Sequence, residues 1–129
     1  MKTKNKQHIL VVDDEKEICQ IISHYLEARG FLVSYAYDGE EALEMVHKQT
    51  PDLIILDVAM PKKDGFTVLG DLKSEPAFAK IPVIMLTVKS DPRHLDKGIS
   101  LSADFYLPKP FKLKNLENFI NLVLKEQDK

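Results

Sequence analysis

A single cysteine, Cys19, occurs in 129 residues. That excludes an internal disulfide and any cysteine metal cluster, and its place in a helical apolar pattern marks it as core. Nowhere do 18 apolar residues follow one another, so no membrane span is expected. Lysines at 2, 4 and 6 precede the apolar stretch Ile9 to Val12, but that stretch is too short for a signal peptide and ends at once in Asp13, Asp14 and Glu15. An excess of charge of one sign is also lacking. A net charge of -2 gives no broad basic field, which argues against direct nucleic-acid binding by this domain. The histidines His8, His24, His47 and His94 lack ligand spacing and read as solvent-facing or helix-surface residues. Repeats, low-complexity tracts and internal linkers are missing as well.

What remains is globular: 44% hydrophobic and 29% charged residues, in a length that suits one domain with one sizeable core. A soluble cytoplasmic domain spanning 1–129 is expected, with residues 1–7 as a flexible tail. Apolar spacing at Ile18, Ile21, Ile22, Tyr25 and Leu26, stopped by Gly30, predicts a helix from Glu15 to Arg29 after a strand Ile9 to Val12. Strand-like content follows at Leu32 to Tyr37, then helical spacing over Asp38 to His47, a strand Leu53 to Leu56, and a helix from Phe66 to about Ser74. Pro82 to Thr87 reads as the fourth strand. Ser90, Asp91 and Pro92 suggest a cap and first turn of a fourth helix ending near Ser100. A last strand at Phe105 to Leu107 precedes the amphipathic stripe Leu116, Phe119, Ile120, Val123 and Leu124. Strand and helix alternate five times, which predicts a parallel sheet with helices on both faces.

In such a sheet, sites form beyond the carboxyl ends of the strands where strand order reverses. The polar residues fall there. Asp13 and Asp14 end the first strand, Asp57 the third, Thr87 the fourth, and the fifth runs through Leu107 and Pro108 to Lys109. If the first and third strands are neighbours, three carboxylates share one shallow pocket. Two charges about 5 Å apart at an effective dielectric near 20 repel by about 3 kcal/mol, so a counter-charge is required. A hard divalent cation held by few protein oxygens, waters and a phosphate favours magnesium over caged calcium, with manganese as a second possibility. Lys109 adds a positive charge suited to an anion.

The segments ILVVDDE (Ile9 to Glu15), LIILDVAMPKKDG (Leu53 to Gly65), PVIMLT (Pro82 to Thr87) and ADFYLPKPF (Ala103 to Phe111), in this order and spacing, resemble the receiver domain of bacterial response regulators over nearly the whole chain. The resemblance implies a flavodoxin-like strand order 2-1-3-4-5. It implies that Asp57 accepts a phosphoryl group from a phosphohistidine on a sensor histidine kinase or phosphotransfer protein. Asp14 would ligate magnesium directly, Asp13 through water, alongside Asp57 and the main-chain carbonyl of Ala59. Thr87 and Lys109 would contact phosphoryl oxygens, and Tyr106 would turn inward as Thr87 is drawn to the phosphate. The peptide bond before Pro110 is often cis in the family. The expected output is partner binding through the fourth helix, fifth strand and fifth helix, by a monomer or weak dimer. Such a domain catalyses its own phosphorylation and slow dephosphorylation and is not a turnover enzyme.

Plainer readings stand beside these. Asp14 with Glu17 also matches a capping box, and Gly65 and Pro61 read as turn residues. A haloacid dehalogenase phosphatase needs a second acid where Ala59 stands, and a flavodoxin-type FMN carrier needs a neutral phosphate loop where Asp13 and Asp14 stand. A receiver that acts as a phosphorylation-independent interaction module, and an amino-terminal receiver cut from a longer regulator, remain alternatives. Val88 follows Thr87 where the family commonly has a small residue; with Ala59 and Lys89 at the mouth, a longer-lived phosphate is expected. Phe105 follows Asp104 where the family often has a second acid, which weighs against a salt-bridged dimer face. Phe105 would serve a partner surface or pack on the last helix. Pro108 fits the end of an edge strand.

Overall fold

The computed structural model describes residues 6–60, 62–88 and 105–127, with the side chains of 88, 126 and 127 excepted. The expected helix after Pro92, and Pro61, Lys89 and Asp104, lie outside the described residues, as does the Val88 side chain.

The strands β1 (His8–Val12), β2 (Leu32–Ala36), β3 (Leu53–Asp57), β4 (Val83–Val88) and β5 (Phe105–Lys109) form one parallel sheet ordered β2-β1-β3-β4-β5. This is the expected 2-1-3-4-5 order. Every residue of β1 and β3 is buried, as continuous aliphatic runs require when helices cover both faces. The helices α1 (Lys16–Glu27), α2 (Gly39–Lys48), α3 (Gly65–Lys73) and α4 (Leu113–Gln127) divide between those faces. Leu10, Val12, Ile54, Leu56, Val83 and Met85 meet α2 and α3 through Ala42, Val46, Phe66, Leu69 and Leu72. Ile9, Val11, Leu53, Ile55, Ile84 and Leu86 meet α1 and α4 through Cys19, Ile22, Leu26, Leu116 and Ile120. Alternation along each strand, with period 2, sends neighbours to opposite layers.

Local chemistry sets the helix starts. Asp38 caps α2 by accepting from the Glu41 amide at 2.8 Å, while Glu41 Oε1 accepts from the Tyr37 amide at 2.7 Å. Asp64 caps α3 by accepting from the Thr67 amide at 2.9 Å. The N-cap of α1 is Glu15, which makes no side-chain cap bond, so the Asp14–Glu17 capping box does not form. α4 begins at Leu113, one turn before the apolar stripe. Phe105 stacks on Phe119 of that helix with centroids 5.1 Å apart and planes 11° apart, which decides for packing over a free partner surface.

His8 departs from its expected place. It is buried at the start of β1, its Nε2 lies 2.8 Å from Ser34 Oγ, and its main-chain amide donates to Asp52 Oδ2 at 2.7 Å. Burial lowers its pKa against the opposing pull of Asp52. Parallel pairing with β2, invisible in the sequence, draws the residue in.

Gly65 is not a turn residue but the first residue of α3, laid on the backbone it follows: its amide donates to the Val58 carbonyl at 2.8 Å. A Cβ there would collide with the Asp57 carbonyl oxygen and stand 2.9 Å from Val58 Cα. Gly65→Ala should therefore destabilise the protein by about 1–3 kcal/mol, the usual cost of overpacking a tight contact. A urea midpoint equal to wild type would contradict this.

Candidate functional site

Register places the site. Val12 pairs with Leu56, so Asp13 and Asp57 emerge side by side where the sheet ends, and Asp57 pairs on its other edge with Leu86, next to Thr87. Beyond these, Thr87 pairs with Pro108 and Val88 with Lys109. Asp13 is wholly buried, Thr87 and Asp57 nearly so, and Asp14 is exposed. Tyr106, half-buried opposite Met85, packs against the α2–α3 layer. Ala59 is exposed in the loop directly after β3.

Lys109 binds the carboxylates together. Its Nζ lies 2.9 Å from Asp57 Oδ1 and 3.2 Å from Asp13 Oδ2, with Glu15 at 3.9 Å. The Lys109–Pro110 peptide is cis. Asp13 is further engaged through Oδ1, which accepts from the Glu15 amide at 2.9 Å, and its carbonyl accepts from the Cys19 thiol at 3.3 Å. Burial pushes that thiol up to about 12, so Cys19 stays protonated and acts as core.

Desolvation dominates the state of Asp57. Burial, with Asp13 and Asp14 nearby, lifts its pKa from 3.8 to about 6 against the pull of Lys109. Burial alone would depress Lys109, but the hydrogen bond and charge of Asp57, with Asp13, hold it above the ordinary lysine value.

One carboxylate oxygen from each of Asp13, Asp14 and Asp57 lies within 4.8 Å of the others. Around a cation with ligands at about 2.1 Å, neighbouring oxygens stand about 3.0 Å apart and opposite ones about 4.2 Å, so these three reach one coordination sphere once they close in around the ion. All are hard oxygen donors, suited to magnesium or manganese rather than to softer metals. Both oxygens of Asp13 already have partners, which fits contact through a water. Beside the pocket, a cleft of about 740 Å³ runs between α1 and the turn into α4, lined by Ile18, Ile21, Lys109, Pro110, Phe111 and Leu113.

The family model described as "Response regulator receiver domain" matches residues 9–121. The chain belongs to that family. The receiver is 40% identical over 126 residues to the probable transcriptional regulator ycf27 of Guillardia theta, covering 98% of this chain and 48% of the relative. It spans about half the length of the curated relatives it matches. Among solved structures, the signal receiver domain of a signal transduction histidine kinase from Syntrophus aciditrophicus superposes with TM-score 0.88 at 35% identity, covering 93% of this chain and 91% of that one. The chemotaxis protein CheY4 of Vibrio cholerae gives 0.86 at 34%, covering 92% and 99%. Among the described residues, no helix is long and apolar enough to cross a membrane.

Asp13, Asp14, Asp57 and Lys109, singled out from the sequence, are thus gathered at one end of the sheet, with Thr87 on the adjoining strand. Sequence reasoning missed the structural part of Gly39, whose Cβ would stand 2.5 Å from the Lys63 carbonyl oxygen. A glycine directly after a capping aspartate was the available signal.

Proposed function

We propose that this receiver is the phosphoacceptor of a two-component phosphorelay, with Asp57 as the nucleophile. The observation that carries the reading is the Asp57 carboxylate itself, buried at the end of the central strand, 2.9 Å from Lys109 and within reach of Asp13 and Asp14. An Asp57 oxygen attacks the phosphorus of a phosphohistidine on a sensor kinase or phosphotransfer protein; the P–N bond breaks, the O–P bond of an acyl phosphate forms, and the imidazole leaves. Because the transition state is loose and its charge spreads over equatorial oxygens, fixed positive charge and positioning supply most of the rate. Asp13, Asp14, Asp57 and the Ala59 carbonyl would hold the divalent cation, magnesium or manganese, which offsets the carboxylate repulsion and neutralises the charge that develops. Lys109 exchanges its Asp57 contact for a phosphoryl oxygen, and Thr87 donates its hydroxyl to another.

The phosphate adds about 1.5 to 2 negative charges, drawing Thr87 inward and letting Tyr106 follow. That biases the packing of the face made by β5 and the last helix, where a protein target binds. The cleft beside α1 gives the donor histidine its approach. The chain modifies itself and turns over no separate substrate, acts in the cytoplasm, touches neither DNA nor membrane directly, and works as a monomer or weak dimer. A second reading, the receiver module of a longer transcriptional regulator, is favoured by the greater length of the matched relatives.

Incubation with acetyl phosphate and magnesium should add one phosphoryl group, seen by intact mass, and a chelator should prevent it. No incorporation by a protein that binds the cation would replace this reading with a phosphorylation-independent interaction module.

A further inference from the structure

The loop from Asp57 to Gly65 is anchored at both ends. The Val58 amide donates to the Leu86 carbonyl at 2.9 Å, and the Gly65 amide returns to the Val58 carbonyl at 2.8 Å. Between these anchors the chain takes an unfavoured shape. Lys62 has φ +67°, a left-handed conformation that costs a residue with a Cβ about 1–2 kcal/mol. Something outside the loop must hold it there. On one side its contacts lead to the start of α2. Lys62 Nζ stands 3.6 Å from Asp38 Oδ2. Gly39 lies so close under Lys63 that a Cβ would be 2.5 Å from the Lys63 carbonyl oxygen, 2.9 Å from Lys63 Cβ and 2.6 Å from Val68 Cγ2. On the far side, Lys63 Nζ bonds Asp71 Oδ2 at 2.8 Å and ties the loop to α3. Asp38 thus does two jobs, capping its own helix through Oδ1 and pairing with the loop through Oδ2.

We propose that Asp38 and Gly39 are positioning residues that set the path of the loop after Asp57 and, through it, the placement of the Ala59 carbonyl for a divalent cation. The inference rests on reading the carboxylate pocket as a divalent-cation site. Neither residue touches that pocket. Gly39 acts by what it lacks: any side chain there drives the Lys63 carbonyl away, and in a short loop pinned at both ends the displacement is passed along the chain toward Ala59. Coordination by hard oxygens tolerates only a few tenths of an ångström before a ligand is lost.

The test is calorimetric titration of the full chain with manganese chloride, alongside acetyl phosphate labelling at graded magnesium. Gly39→Ala should weaken manganese binding about tenfold, the scale seen when a group supporting a metal ligand is disturbed. The magnesium needed for half-maximal labelling should rise by the same factor, while the rate at saturating magnesium stays near wild type. A purely structural role would lower the unfolding midpoint and leave the dissociation constant alone; that result overturns the proposal. Should Gly39→Ala not fold, Asp38→Asn keeps a good helix cap and removes only the charge facing Lys62. It should weaken binding roughly threefold, the value of an exposed ion pair, and an unchanged constant again overturns the proposal. Wild-type protein that binds no manganese would fail the reading of the pocket itself. Wild type that binds, with variants that match it, fails this inference alone.

Discussion

Asp57→Asn is expected to abolish phosphate uptake from acetyl phosphate and, in the absence of a cation, to make the protein more stable. The first effect follows from replacing a carboxylate nucleophile with an amide of nearly the same shape. The second follows from burial. Folding raises the pKa of Asp57 from 3.8 to about 6, so the folded chain binds this proton more tightly than the unfolded chain does. Stability therefore falls as pH climbs from about 4 through about 6, and above that the charged carboxylate costs up to about 3 kcal/mol. Asparagine carries no such cost. Urea unfolding in chelator should give a higher midpoint for Asp57→Asn at neutral pH and coincident midpoints near pH 4. Saturating magnesium should narrow the gap, because it stabilises the wild type, with all three carboxylates, more than the variant. Equal midpoints across the whole pH range would show that Lys109 already compensates the buried charge.

Lys109→Gln separates two roles that one ammonium now combines. With its Nζ on Asp57 Oδ1 and Asp13 Oδ2, Lys109 occupies the same electrostatic niche as a cation and competes with it. Removing the charge should tighten manganese binding by about tenfold, from the loss of like-charge repulsion at this range. Labelling should nevertheless slow by about two to three orders of magnitude, the usual cost of one preorganised donor to a developing oxyanion. Opposite signs are the diagnostic result. If binding and labelling weaken together, Lys109 acts by holding the carboxylates in place.

Much of this was legible in the residue order. Four aliphatics closing on Asp57 mark a strand buried on both faces, and polar residues at four successive strand ends mark one rim of one sheet. Both follow from periodicity and from where helices must lie. Helix and strand limits moved by one to three residues, because an apolar stripe reports the buried face and not the exposed first turn of α4 or the polar end of β3. What stayed hidden depends on contacts between distant segments. His8 looks like the edge of a charged tail until β2 pairs beside it. Asp14 with Glu17 spells a capping box, yet the buried Asp13, turned back to accept from the Glu15 amide, sets the chain's direction there. Gly65 reads from sequence as a turn residue and Gly39 carries no signal of its own beyond following Asp38, whereas both let another segment's backbone come close.

The sheet also partitions the protein. Its two layers of side chains share strands but no side chains, since each apolar core residue of a strand belongs to one layer or the other. Substitutions under α1 and α4 should thus combine additively with those under α2 and α3, and either layer is free to drift in evolution without a matching change in its counterpart. The strand termini are the exception. Asp13, packed beneath α1, and the loop after Asp57, held by α2, meet across one edge, so compatibility between the halves is demanded only where the chemistry is done.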